Sequence, residues 1–351
     1  MNRGSKSDAA VAKDLKADAN NKTVTVVGAG VAGLWQALAL AKAGWRVKVL
    51  EASATPFLDS ASRWAGAMIA PECEAESAPA LVRDLGRTSL ALWQSEFPGE
   101  VIANGTLVLA AARDQAELLR FARATEGHVK ISDDDLGKLE PDLAGRFGGA
   151  LFFASEAHMD ATAALAKLMS ACVREGVDVA MGVRWNGEPH GLTIDCRGYG
   201  ARAELTQLRG VRGERIIIRS QEIKLSRPVR LLHPRQPIYV VPQGDGRFVI
   251  GATVIEREDQ GEMTVRSALE LLGSAYALHP AFAEAAILDM GAGVRPAFPD
   301  NVPRIVVEAG GDIIRVNGAY RHGFLLAPVL AQAVVSYLAD GIRAEGLFEV
   351  A

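Results

Sequence analysis

The chain of 351 residues has few cysteines, no excess of basic residues and no long uninterrupted apolar run, and each shortage narrows the function. Three cysteines occur, Cys73, Cys172 and Cys196, with neither a Cys-x-x-Cys pair nor a metal-ligand spacing. That argues against a disulfide framework or a zinc site, so no metal is expected, and a reducing, cytoplasmic setting fits. A net charge of −4 leaves no surplus of cations to neutralise phosphates, which speaks against a general nucleic-acid binder. Residues 1–21 carry mixed charge without a continuous apolar core and read as a disordered tail rather than a secretory signal. The most apolar late segment, 323–338, is interrupted by Pro328 and Gln332 and reads as too short to span a membrane. A buried helix starting near Pro328 is expected there. No internal repeat and no Ser-His-Asp set is evident.

What is present is an ordinary soluble composition, 49% hydrophobic and 23% charged, in a chain long enough for two domains. Lys22 to Glu51 has the layout of a dinucleotide-binding βαβ unit. Val24 to Val27 is a β-branched run suited to a buried parallel strand, and Gly28, Gly30 and Gly33 fall on the Gly-x-Gly-x-x-Gly spacing. The first glycine allows a tight turn, the second lets backbone N–H groups approach a pyrophosphate, and the third lets the helix close on the sheet. Glu51 ends the second strand, where a carboxylate would accept ribose hydroxyls and repel a 2′-phosphate. A second Gly-x-Gly, at Gly291 and Gly293, has Pro296 where the third glycine belongs and reads as strand and turn.

Further along, a helix is expected from about Ala78 to Trp93, a strand at 105–111, a helix at 115–125 and a strand at 148–154. Asp160 would cap a helix running to Arg174, and short strands follow at 177–183 and 192–195. From Arg215 to Thr253 the pattern is one of antiparallel strands, followed by a helix at 264–277 and strands at 287–295 and 312–316. Six arginines lie between Arg212 and Arg235, alternating with apolar residues, and read as the solvated face of a sheet. The fold class expected is α/β. A discontinuous Rossmann-type domain (22–80, 150–204 and 287–345) would be joined to an α+β substrate domain on an antiparallel sheet (81–149 and 205–286).

Several landmarks occur in order: Ser62-Arg-Trp-Ala-Gly-Ala-Met68-Ile-Ala-Pro, Leu139-Glu-Pro141, Asp195-Cys-Arg-Gly198, Tyr239-Val-Val-Pro and Gly293-Val-Arg-Pro296, then Asn317-Gly-Ala-Tyr-Arg-His-Gly323. With these the chain resembles the D-amino acid oxidase superfamily of flavoproteins, and most closely the thiamine-pathway glycine oxidases. The resemblance implies non-covalent FAD, since relatives that attach flavin covalently carry a cysteine near the loop at Arg321 and none is present here. It implies that Arg295 grips a substrate carboxylate and that the Tyr239 hydroxyl shares it. Arg321, His322 and Gly323 would run along the flavin, with Gly318 and Leu325 beside them. Ala65, Gly66, Ala67 and Met68 would wall the ring, and Ser62 and Arg63 would lie at the pyrophosphate with Gly28, Gly30, Val31, Ala32 and Gly33. Cys196 and Gly198 would form a second flavin-contacting turn and Val183 an adenine-side contact.

The residue chemistry agrees with this pattern in part. A bidentate guanidinium suits a planar carboxylate in a dry pocket better than a lysine does, and the following proline biases Arg295 to extended backbone. A structural Arg295 paired with Asp289 or Asp300 is the competing reading, as a half-buried strand tyrosine is for Tyr239. The chain departs from the family in a short segment between Val183 and Thr193 and in Arg197, which stands where a small residue is usual. The activity implied is oxidation of glycine or a small D-amino acid, with molecular oxygen as acceptor and a place in thiazole synthesis. A dehydrogenase passing electrons to a carrier, a secondary-amine oxidase and a flavin-binding protein without turnover are the alternatives. The partners expected are a small amino acid or amine and like copies of the chain in a homo-oligomer, with no nucleic acid and no membrane span.

Overall fold

The structure, a computed structural model, describes residues 22–189, 191–259 and 261–350. The N-terminal tail read from the sequence lies outside them. In chain order the elements are β1 (Thr23–Val27), α1 (Val31–Lys42), β2 (Arg46–Glu51), β3 (Met68–Ile69), α2 (Pro71–Glu74), α3 (Ala80–Glu96), β4 (Thr106–Ala110), α4 (Gln115–Ala124), β5 (Val129–Ile131), α5 (Asp133–Leu139), β6 (Ala150–Phe153), β7 (Ala157–His158) and α6 (Ala161–Arg174). There follow β8 (Asp178–Met181), β9 (Leu192–Asp195), β10 (Arg209–Arg219), β11 (Val229–Leu232), β12 (Ile238–Pro242), β13 (Arg247–Gly251), α7 (Val265–Leu278), β14 (Ala286–Ala297), β15 (Arg304–Val307), β16 (Ile313–Asn317), α8 (Gly323–Asp340) and β17 (Phe348–Val350).

Two compact units divide the chain at 63/64, 161/162, 210/211 and 294/295. These positions differ from the boundaries expected at about 80, 150, 204 and 287. Residues 64–80 go with the second unit because Trp64 and Gly66 lie against its sheet residues Gly291 and Tyr239. Residues 150–161 go with it because β6 is hydrogen-bonded into that sheet.

The first unit holds a seven-stranded sheet in the order β17-β15-β16-β9-β1-β2-β8, parallel except where β15 meets β16. Val24, Val26 and Val27 of β1 are buried, as a central parallel strand requires. Helix α8 packs along α1, and the Cys172 thiol of α6 donates to the Leu34 carbonyl of α1 at 3.3 Å. Helix α8 starts at Gly323, five residues before Pro328, because nearly every residue from Phe324 to Leu338 is buried and that burial offsets the backbone bond a proline removes. Its 18 residues, at mean hydropathy 1.5, are long and apolar enough to cross a membrane, contrary to the reading of that segment as too short. Two-thirds of it is buried inside the protein, which makes it a core helix.

The second unit holds an eight-stranded sheet, β14-β10-β13-β12-β11-β4-β6-β5. One face carries Leu107, Leu109, Ile216, Ile218, Ile238, Val240, Phe248 and Ile250, packed with Leu271, Ala275 and Leu278 of α7. The other face packs Val108, Ala110, Leu151, Phe153 and Leu232 with Leu118 and Phe121 of α4. Further across that second face, direct pairing sets Arg230 opposite Tyr239, Tyr239 opposite Gly251 and Gly251 opposite Arg215. Directly paired residues project to one side, so these four share a face.

The arginine-rich stretch is largely internal rather than a solvated face. Arg212 and Arg215 are 2% and 3% exposed. Arg212 donates to Glu214 at 2.8 Å and Asp259 at 2.7 Å, Arg227 to Glu140 at 2.8 Å, and Arg230 pairs with Glu74. Alternation of arginine with apolar residues thus marks a sheet that draws carboxylates from distant segments onto its cations.

Two buried titratable groups follow β6, Glu156 in the turn and His158 in β7. Glu156 accepts from the Cys73 N–H at 2.7 Å, and burial pushes its carboxyl up to about 7, partly opposed by that bond and by Arg230. Burial, aided by Arg227, pushes the His158 imidazole down to about 4. The two act in opposite senses. The stability from Glu156 is full below its ordinary pKa of 4.5 and lost as pH rises through 7, whereas that from His158 is full above its ordinary 6.5 and lost as pH falls through 4. Each amounts to roughly 3 kcal/mol, so they nearly cancel between pH 4.5 and 6.5. Urea denaturation at pH 5 and 6.5 should show little pH dependence in the wild type. Stability should rise with pH in Glu156→Gln and fall with pH in His158→Gln, and parallel curves for all three proteins would refute the compensation.

Candidate cofactor and substrate site

The glycines after β1 build a cradle. Gly28 has φ +98°, reachable by glycine at little cost, and a Cβ there would lie 2.7 Å from the Cys196 carbonyl oxygen. A Cβ on Gly33 would lie 1.8 Å from the Gly28 carbonyl oxygen, so α1 closes on the turn only because that atom is missing. Gly30 stands in extended backbone at the head of α1 without a side-chain cap. The Ser62 hydroxyl takes the Val31 N–H at 3.1 Å, and the Ser60 and Ser62 hydroxyls face Gly30. Glu51 accepts from the N–H groups of Ala29 at 2.7 Å and Ser53 at 2.9 Å. A carboxylate has about four acceptor sites, so two remain for ribose hydroxyls. The Val183 N–H donates to the Glu51 carbonyl at 2.8 Å, which sets the adenine-side candidate beside the ribose candidate.

The second turn is joined to the first through the Cys196 N–H, which donates to Val27 at 2.8 Å. Asp195, fully buried, accepts from the Arg197 backbone N–H and guanidinium and from Arg315. Arg197 also reaches Glu204 at 2.7 Å and lies 4.7 Å over the Trp185 ring. Burial works against its charge, but the Asp195 and Glu204 bonds prevail and hold its pKa above the ordinary arginine value. Arg197 is thus fully accommodated in its turn.

A third group of residues joins the same unit. Asn317 donates to the Gly198 carbonyl at 2.8 Å, the Tyr320 N–H to the Pro296 carbonyl at 2.8 Å and the His322 N–H to the Ala319 carbonyl at 2.7 Å. These bonds tie the strand end carrying Arg295 to the loop carrying Arg321, His322 and Gly323. Gly318 has φ +79° and lies against the Phe298 ring. Arg321 is exposed, His322 is 2% exposed with its ring edge-on to Tyr320, and Leu325 is buried in the first turn of α8. A Cβ on Gly323 would come within 3.5 Å of Val31, so the N-termini of α8 and α1 lie side by side. Two positive helix ends and an uncapped glycine turn form a donor set that fits a dinucleotide pyrophosphate and an electron-rich carbonyl edge.

Tyr239, Ala65, Gly66, Ala67 and Met68 belong to the second unit. Gly66 and Gly251 both lie against the Tyr239 ring, where a Cβ would come within 2.7 Å and 2.4 Å respectively. Ala67 has φ +50°, and its carbonyl accepts from Met159 at 3.0 Å. Met68 is half-buried and packs against the core under α4. Ser62 and Arg63 end the preceding segment of the first unit. Sequence reasoning did not single out Trp64, Trp185 or Arg215. The arginine was obscured by its neighbours in an alternating run, and the tryptophans mark no motif. Among the described residues no cluster of three or more His, Cys, Asp or Glu side chains is placed to hold a metal.

Comparison with known proteins agrees with the geometry. A Rhizobium etli protein bearing the name thiamine biosynthesis oxidoreductase ThiO is 49% identical over 316 residues, covering 90% of this chain and 96% of that one. Glycine oxidase of Pseudomonas aeruginosa is 26% identical over 349 residues, covering 88% and 92%. The crystal structure of glycine oxidase from Bacillus cereus superposes with a TM-score of 0.78 at 22% identity, covering 92% of this chain and 98% of that one.

The cradle makes a direct prediction. Gly33→Ala places a methyl against backbone and should destabilise the protein by roughly 1–3 kcal/mol or more. Gly30→Ala meets only serine hydroxyls, at 3.1 and 3.3 Å, and should fold normally. It should nonetheless weaken FAD by at least about tenfold, because the methyl fills the space that donors to the pyrophosphate need. Flavin fluorescence titration of the apoprotein reads this, and an unaltered FAD affinity in Gly30→Ala would place the pyrophosphate elsewhere.

The strand, turn and helix that begin this cradle and the N-terminal end of the helix that completes it lie within residues 23–337, which match the family described as DAO, FAD dependent oxidoreductase, and the chain belongs to that family.

Proposed function

We propose that this FAD-dependent oxidoreductase of glycine oxidase type oxidises glycine or another small amino acid, with molecular oxygen as the final acceptor. For glycine, the amino acid, O2 and water give glyoxylate, ammonia and hydrogen peroxide. Bound FAD supplies the acceptor for the hydride that leaves the α-carbon. The chain's own residues hold the substrate carboxylate, orient the α-carbon and keep water away. Arg295 is assigned the carboxylate, with the Tyr239 hydroxyl as a second donor. The uncapped N-terminus of α8, reached through Arg321, His322 and Gly323, is assigned to the flavin's carbonyl end. Glu51, Val183, Cys196 and Gly198 are assigned to the adenosine half, and Ser62, Arg63 and residues 28–33 to the pyrophosphate.

The observation that carries this reading is the stitching of Arg295 to the 317–323 loop. The Tyr320 N–H bond to Pro296 holds the carboxylate-binding candidate next to a helix N-terminus. The identity to the Rhizobium etli protein supports a role in thiamine biosynthesis. Peroxide released in proportion to glycine consumed would support oxygen as acceptor, whereas reduction of dyes without peroxide would indicate a carrier.

Arg295→Ala should lower kcat/KM for glycine by roughly one and a half to four decades, as expected for truncating one partner of a buried charge pair at roughly 2–5 kcal/mol. Arg295→Lys should recover part of the loss, and the visible flavin spectrum should persist in both variants. Near-wild-type oxidation of glycine and D-alanine by Arg295→Ala would overturn the assignment.

A further inference from the structure

We infer that Glu156 is a positioning residue, which through its bond to Cys73 seats Ala67 and Met68 as the wall of the flavin ring. The inference rests on the assignment of those two residues to that wall. Two strips of the second unit run antiparallel here. The Ala67 carbonyl accepts from the Met159 N–H at 3.0 Å, Met68 pairs with His158, and Ile69 pairs with Ala157. Further along, the Glu156 carboxyl accepts from the Cys73 N–H at 2.7 Å and closes the series with a side chain.

Helix α2 needs that bond. It begins at Pro71, which has no N–H, after an Ala70 that offers no side-chain cap, so its early N–H groups depend on acceptors from elsewhere in the chain. Glu156 supplies one. The Cys73 carbonyl is taken in turn by Arg230 at 3.4 Å, and the same guanidinium pairs with Glu74. Arg230 stands directly opposite Tyr239, whose ring lies against Gly66, so residues 66–74 rest on two paired strand residues, one near each end. The strip that carries Glu156 is itself fixed. His158 exchanges both backbone bonds with Ile102, the Glu156 carbonyl accepts from Gly105 at 3.0 Å, and the Met159 carbonyl accepts from the Gln243 amide at 3.2 Å.

Ala67 has φ +50°, a conformation that costs an alanine energy and persists only while its surroundings impose it. Loss of the anchor at Cys73 therefore loosens the residue that must stay strained. The charged, titratable and polar groups around the Glu156 carboxyl are Cys73 and Glu74 of α2, Arg230 of β11 and the Thr106 hydroxyl of β4. Burial outweighs the favourable ones and pushes the carboxyl up to about 7. Lifting the strip would let water reach it and return it toward its ordinary 4.5, so lifting is favoured as pH rises through 7.

Glu156→Gln keeps an acceptor for Cys73 but cannot ionise, and Glu156→Ala removes the acceptor. Amide hydrogen exchange of the 67–74 peptide in the apoprotein, divided by the intrinsic exchange rate, reads the hold on the strip. From pH 6 to pH 8 wild-type protection should fall several-fold, up to about tenfold, while that of Glu156→Gln stays level. Added FAD should raise protection of the same peptide in the wild type. At saturating FAD the visible flavin band of Glu156→Ala should move toward that of free FAD, and that of Glu156→Gln should match the wild type, since the wall tunes the ring's surroundings. A change with pH shared by wild type and Glu156→Gln, or a wild-type flavin band in Glu156→Ala, would overturn the inference. Should Glu156→Ala not fold, the wild type and Glu156→Gln decide it by exchange alone. If FAD leaves the 67–74 peptide unprotected, the wall assignment fails and the inference falls with it, whereas the pH arm separately reports the hold on Cys73. None of these readings uses turnover, so they stand apart from the choice of substrate.

Discussion

The cofactor half of this protein depends on one buried carboxylate. Asp195 ends β9 without exposure to water and is held from both sides, by Arg197 from its own turn and by Arg315 from β16. Breaking a buried ion pair by removing one partner is far more costly than never having formed it, so the three groups act as a unit. Their geometry fixes the turn at 195–198, whose Cys196 carbonyl lies where any side chain on Gly28 would have to go. The pyrophosphate turn, the second turn and β16 are thereby set in register. The loop that follows β16 inherits its position through Asn317 and its bond to Gly198.

The sheet of the second unit solves a different problem. One face is closed by α7 over a continuous apolar core, and the opposite face changes character along its width. Under α4 it is apolar, and toward β12, β13 and β10 it carries Tyr239, a glycine and Arg215. The polar part is ordered by pairing register rather than by loops.

How much of this could be read in the sequence depended on distance along the chain. The βαβ unit was legible because its strand, glycines, helix and acid lie within 30 residues and constrain one another locally. Helix α7 was expected at 264–277 and runs Val265–Leu278, since its Thr264 cap and apolar period are local signals. The start of α8 was not, because Pro328 is a local stop signal that burial against α1 overrides. Residues 64–80 group with the second unit, which no local signal shows, since Trp64 meets Gly291 more than 200 positions away. The arginines from 212 to 230 looked solvated because their carboxylates, Glu74, Glu140 and Asp259, are remote in sequence. The glycine turn after β1 was legible, whereas the pairing that sets Tyr239 and Arg215 on one face of the sheet carries no local signal.

The chain passes from one unit to the other four times, so neither unit is written in one continuous stretch of gene. Exchanging either unit whole between relatives would need simultaneous breakpoints at every passage.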